Sequence, residues 1–170
     1  MGHMEDDGRY LLVHFSLAVM GAYQLIFQSQ SMVPFETPEM LVMLRKARAS
    51  NTHREISGLL LYTPDGRFLQ VIEGRREAVR HLYYNRIAAD PRHYNCRVYD
   101  EGPCWERAFP QWSMGFRTAT AAVLRTLLSY VPPDGPGLLV PRPHTRPELL
   151  ALLQEFVASG EGITELEETA

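Results

Sequence analysis

Between Tyr23 and Gln28 the positions alternate, with Tyr23, Leu25 and Phe27 on one side and Gln24, Ile26 and Gln28 on the other, which predicts a half-buried β-strand. The polar run Ser29-Gln30-Ser31 ends it. Thr37-Pro38-Glu39 then supplies an N-cap, a proline at the first helical position and an acid in the first turn. Met40, Met43, Leu44 and Ala47 follow at helical spacing, which predicts a helix over about 38–50. Ile56 to Tyr62 is apolar on both faces apart from Ser57, as expected of a central strand, and Thr63-Pro64-Asp65-Gly66 turns the chain back into a hairpin. The returning arm, DGRFLQVIEG, sets Phe68, Gln70 and Ile72 on one face and Leu69, Val71 and Glu73 on the other. A glutamine thus interrupts an apolar face, and its amide requires a partner.

Helical spacing returns with Val79, Leu82, Tyr83 and Ile87 and stops at Asp90-Pro91. Two more strands are predicted over Cys96–Tyr99 and Trp112–Phe116. The order β-α-β-β-α-β with an extra strand is the ferredoxin-like α+β pattern, one sheet with two helices on one face and a cleft between them. Beyond residue 118 come a short apolar helix from Ala121 to Tyr130, a Pro/Gly linker from Pro132 to Pro143, and an amphipathic helix built on Leu149, Leu150, Leu153, Phe156 and Val157. Residues 118–170 therefore read as a C-terminal helical extension. The last stripe is too apolar for water, so it packs on the sheet's uncovered face or on another subunit, and a homo-oligomer or partner interface is expected.

Composition narrows the function. A chain of 170 residues, 45% hydrophobic, builds one core with an appendage. A net charge of -3 without a local Lys/Arg run argues against nucleic acid or a membrane surface and toward small molecules or proteins. Two cysteines are too few for a disulfide framework, which fits a reduced, cytoplasmic setting. Met1-Gly2-His3-Met4 resembles a tag remnant, so residues 1–22 are set apart as tag and N-terminal extension. The apolar run Tyr10–Ala22 follows the acidic EDDGR and is too short to span a bilayer, unlike a secretion signal or an anchor. No Gly-rich phosphate loop, HExxH, nucleophile elbow or Cys/His cluster is present, so no enzyme is expected.

Five words in order, LIFQSQS, ASNTHREISGLLLY, DGRFLQVIEG, NRIAADPRHYN and FPQWSMGF, resemble the BLUF family of flavin-binding blue-light sensors over residues 23 to about 117. The two-helix tail is similar to that of short, single-domain members whose output is contact with a signalling protein. The resemblance implies a flavin, usually FAD with FMN or riboflavin possible, held between the two helices. Gln70 matches the family's switching glutamine, beside the flavin's N5/O4 edge; a core glutamine bonded to a backbone carbonyl is the alternative. Asn51 matches the asparagine that bonds the C4 carbonyl and N3, a task needing a donor and an acceptor from one side chain; a helix C-cap is the alternative.

The same resemblance places Arg86 and Asp90, an i, i+4 pair, by the pyrimidine edge, and Arg92 and His93 at the cofactor edge. An exposed helix pair and a solvent-facing histidine are the plainer readings. Ile87 and Met43 match residues in contact with the ring, although both would also serve as helix core. Trp112 and Met114 match residues that compete for the place beside the glutamine and pass its state to the tail. An interaction domain that keeps this scaffold without flavin is the alternative function.

Two departures stand out. Phe27 occupies the place of the family's strand-one tyrosine, from which the excited flavin takes an electron and then a proton. Phenylalanine has no ionisable O–H, so the resemblance implies a photoinactive or dark-locked member. Tyr23, four residues earlier on the same face, is roughly 13 Å away and a poor substitute, while Trp112 could give an electron without a comparable proton path. The second departure is one extra residue in the second helix around Tyr84-Asn85, which bears on the alignment of Arg86 and Ile87.

Overall fold

Strand β1 (Ala22–Ser31) is an interior strand of a five-stranded sheet completed by β2 (Ser57–Tyr62), β3 (Arg67–Gly74), β4 (His93–Cys104) and β5 (Gly115–Thr118). The computed structural model describes residues 21–130 and 141–162. The strand order is β4-β1-β3-β2-β5, with β1 antiparallel to β3 and β4, β2 antiparallel to β3, and β2 parallel to β5. This is the ferredoxin-like α+β arrangement with one added strand. The hairpin between β2 and β3 turns at Gly66, whose φ of 84° suits glycine; an added Cβ there would also come within 2.5 Å of Ser31 Oγ.

Helix α1 (Thr37–His53) and helix α2 (Arg76–His81) cover one face. The cap of α1 is Glu36 rather than Thr37: Glu36 and Glu39 form a reciprocal capping box, with the Glu36 N–H donating to Glu39 Oε2 at 3.0 Å. Helix α2 runs into a π-helical turn over Leu82–Ile87. That turn contains Tyr84 and Asn85, so the extra residue is absorbed as a local widening, which keeps Leu82 and Ile87 facing the sheet side.

Both sheet faces are buried. Leu25, Phe27, Leu60, Phe68 and Ile72 meet Met40 and Leu44 of α1 and Val79 and Tyr83 of the second helical segment. Ile26, Leu59, Leu61, Leu69 and Val71 pack instead on α3 (Ala121–Leu128) and α4 (Arg146–Ala158). β1 is therefore buried on both faces from Tyr23 to Phe27, not half-buried, and even Gln24 is only 3% exposed, while Gln28 and Gln30 near its end are partly exposed. Leu149 and Leu153 are completely buried on the chain's own sheet, which settles where the amphipathic stripe goes and removes it as a surface for a second copy.

Several boundaries differ from the sequence-based expectation. β4 spans His93–Cys104 rather than Cys96–Tyr99, because its edge position lets it follow β1 almost to the end. β5 begins at Gly115, so Trp112 precedes it. α3 stops at Leu128, and Ser129–Tyr130 pair with Arg142–Pro143 as a two-residue ladder. The apolar run Tyr10–Met20 and most of the Pro132–Pro143 linker lie outside the described residues. Among the described residues no helix is long and apolar enough to cross a membrane.

Candidate functional site

A cavity of about 840 Å³ opens between α1 and the π turn, above the sheet. Its floor is Leu60, Phe68, Gln70 and Met114; Met43 and Asn51 line it from α1, and Arg86, Ile87, Asp90, Arg92 and His93 from the other side. Every sequence-derived site residue except Phe27 and Trp112 lines this space. Its volume lies in the range of small-molecule sites, and its apolar walls with a few convergent polar groups have the usual make-up of one.

Gln70 is half-buried on the floor. Its Nε2 lies 3.5 Å from Met114 Sδ, a weak acceptor, and no backbone carbonyl among the described residues takes the amide. The amide is left with capacity for a ligand. Met114, 2% exposed, holds the place beside the glutamine. Trp112 lies on the other side of the sheet, stacked on Phe109 with ring centroids 6.2 Å apart and planes at 11°, with the Arg117 guanidinium 5.3 Å from its centroid. Gly115 makes room for this indole, since an added Cβ would come within 2.5 Å of Trp112 Cε3.

Asn51 Nδ2 donates to the Ser113 carbonyl at 2.7 Å, so one of the two arms expected for a ring is already engaged by the chain. The asparagine is not the left-handed C-cap either; Glu55, at φ 56°, takes that conformation, while the Asn51 backbone carbonyl accepts from Arg54 and Ile56. Arg48 Nε donates to the Met114 carbonyl at 2.9 Å, and the Gly58 N–H donates to the Trp112 carbonyl at 3.0 Å. Three consecutive carbonyls of the WSM segment are thus tied to α1 and β2.

Asp90 pairs with Arg92 at 2.6 Å, not with Arg86. The helical segment ends at Ile87, so Asp90 lies beyond it and has no i, i+4 partner there, and the Arg92 side chain and N–H both bond the carboxylate. Those bonds hold the Asp90 carboxyl down to about 2. The His93 ring packs tilted against Phe68, with centroids 5.2 Å apart and planes at 37°, and lies 3.2 Å through Nδ1 from Ser29 Oγ. Burial lowers its pKa, with Asp90 opposing and Arg92 assisting.

Phe27 is fully buried, opposite Gln70 in the β1–β3 register, with its ring 4.7 Å from that of Tyr83. Helical spacing alone assigns Tyr83 to the helix core. Burial, chiefly, pushes its phenol up to about 12. Lys46 and Arg54 also line the cavity without having been singled out; their i, i+8 spacing with Ser50 between them was the available signal. On the opposite face Glu73 is fully buried and accepts from Gln24 Nε2, the Ala108 N–H and the Phe109 N–H at 2.7, 2.7 and 2.9 Å.

A sheet roofed by two helices, with an amide at the floor of the cleft between them, defines a ligand-binding α+β domain. Residues 22–115 match the family described as sensors of blue-light using FAD, and the chain belongs to this BLUF family. The photoactivated adenylate cyclase subunit beta of Euglena longa is 40% identical over 93 residues, 54% of this chain and 11% of that protein. The subunit beta of Euglena gracilis is 34% identical over 103 residues, 60% of this chain and 12% of that protein. The chain spans about an eighth of the length of these relatives. Among solved structures, the dark state of the BLUF protein BlrB has a TM-score of 0.59 and 30% identity, covering 82% of this chain and 97% of that one. The photo-activated state of BlsA has a TM-score of 0.59 and 26% identity, covering 84% and 99%.

Proposed function

We propose that residues 23–117 bind a flavin of the FAD class in the cleft, that residues 118–170 carry the output to a signalling protein, and that Phe27 leaves the domain photoinactive or locked in its dark arrangement. The observation that carries this reading is the pairing of Gln70, whose amide is open to the cleft, with a Phe27 that has no hydroxyl to share with it. The donor set fits such a group. Gln70 offers an uncommitted amide, Asn51 keeps its Oδ1 free of any described donor, and Met43 and Ile87 give apolar walls. A bound flavin would supply blue-light absorption and an electron-accepting ring.

The chain's own part is to position the ring and to hydrogen-bond its edge. Gln70 can exchange hydrogen-bond partners, but Phe27 can neither release nor return a proton to it. The WSM segment supports an output route, because Met114 touches the cleft on one face while Trp112 packs in the cluster that includes α3 and α4 on the other. The cytoplasmic setting rests on Cys96 and Cys104, both free thiols. The purified 170-residue chain should be yellow, with a flavin absorption band in the blue that is unchanged after illumination. A colourless preparation that takes up no added flavin would support the interaction-domain alternative instead.

A further inference from the structure

A second cavity, of about 310 Å³, lies between the ends of the strands and α3, on the face of the sheet away from the cleft. Strand alternation sends Gln28 and Gln30 to the side of Ile26, where they stand opposite Leu69 and Arg67 in the β1–β3 register. Asn95 joins them from β4, at the place where that strand slips its register against β1 between Gln28 and Gln30. Its backbone is left-handed there, at φ 52°, and a bulge of this kind re-aims the side chain. Leu124 and Leu128, one turn apart on α3, form the opposing wall. Phe68 borders both this cavity and the cleft, so the two sites meet back to back at β3.

The carboxamides of Gln28, Gln30 and Asn95 bond no described residue, and each brings two N–H donors and an acceptor oxygen. Charge plays little part, because Arg67 is held by Asp65 through Nε at 2.8 Å and Nη2 at 2.6 Å. An anionic ligand would therefore find no uncommitted cation among the described lining residues. Polar groups that both donate and accept on one side, with a leucine pair on the other, suit a ring whose hydroxyls donate and accept around its rim and whose C–H face is apolar. A flat heterocycle would instead lay one of its faces against the amides. We propose that this cavity binds a small uncharged cyclic polyol, of the monosaccharide or inositol class. Its volume is at the lower end of small-molecule sites, which favours a single ring. A ligand seated there touches α3 of the extension and the strand beneath the cleft at once, whether or not the cleft holds flavin.

The test titrates the 170-residue chain separately with glucose, galactose, myo-inositol and adenosine, following its amide NMR spectrum. At least one of the three polyols should shift the side-chain amide signals of Gln28, Gln30 and Asn95 and the backbone signals of Leu124 and Leu128 saturably, with a midpoint in the roughly millimolar range. Which polyol does so separates the sugar source from the inositol source. Gln28→Leu with Gln30→Leu should weaken that binding at least about tenfold while the circular dichroism spectrum stays the same, because two hydrogen-bonding groups are lost from a face that already packs leucines. Asn95→Gly keeps the left-handed backbone and removes only the side chain, so it should weaken binding roughly fivefold. No saturable shift with any of the three polyols, or shifts that persist unchanged in the double leucine variant, would overturn the proposal. Adenosine moving these signals where the polyols do not would overturn the polyol class.

Discussion

Phe27 and Gln70 face each other directly across the β1–β3 pair. Side chains directly opposite in an antiparallel pair project to the same side of the sheet, here the side covered by α1 and the π turn. Gln70 reaches the cleft, while Phe27 is sealed behind it against Tyr83. A hydroxyl added to Phe27 would enter the neighbourhood of the glutamine amide without altering the ring that fills the core. Phe27→Tyr should therefore fold with a thermal midpoint within a few degrees of the unaltered chain, checked by circular dichroism.

Gln70 is the group that must rearrange. In the Phe27→Tyr background, Gln70→Leu should abolish any light-induced spectral shift while retaining flavin, because a leucine fills the space without a donor or an acceptor. Persistence of the shift, measured by absorption after illumination, would remove Gln70 from the switch.

Asn51 binds the WSM segment to α1. Asn51→Ala should lose the bond to the Ser113 carbonyl and cost roughly 1–3 kcal/mol in urea unfolding. It should also weaken flavin retention about ten- to a hundredfold if the Oδ1 contacts the ligand. Stability loss without a change in retention would confine Asn51 to holding the segment.

Glu73 latches the loop that precedes Trp112. Its carboxylate holds two backbone N–H groups and the Gln24 amide in a dry site, so Glu73→Ala should cost at least about 2 kcal/mol and leave those donors unsatisfied. Chemical denaturation measures the cost, and a red-shifted tryptophan emission would report the loosened loop.

The pH response follows from His93. Its folded pKa lies below the ordinary 6.5, chiefly through burial, so the folded state favours the neutral ring. The resulting stability is fully present above the unfolded value and is lost as pH falls through the folded one. The thermal midpoint should drop on acidification from about pH 6.5 downward, and His93→Gln should flatten that segment of the curve.

Much of the fold was legible because each face of the sheet is written as alternation. Phe68, Gln70 and Ile72 do share a face, and the cleft residues Met43 and Ile87 fall where helical spacing set them, while Asn51 was reached through the family resemblance. Burial on both sides was harder to read: Gln24 looked solvent-facing, yet Glu73, its partner 49 residues away, allows it to be buried. The side of the sheet taken by Trp112 depended on Gly115 opening room and on Met114 filling the other side, a packing choice that strand alternation does not encode. The Asp90–Arg92 pair depended likewise on the helical segment ending at Ile87, and Lys46 and Arg54 resembled an ordinary solvated helix edge.

The central claim is that Phe27 alone separates a flavin-binding domain from a light-responsive one. Its most direct measurement is the absorption spectrum of the unaltered chain and of Phe27→Tyr before and after blue light, each loaded with flavin. The unaltered chain should keep its dark spectrum, and Phe27→Tyr should give a red-shifted state that returns in the dark. A reversible red shift in the unaltered chain would contradict the claim and direct attention to Tyr83, the tyrosine packed against Phe27.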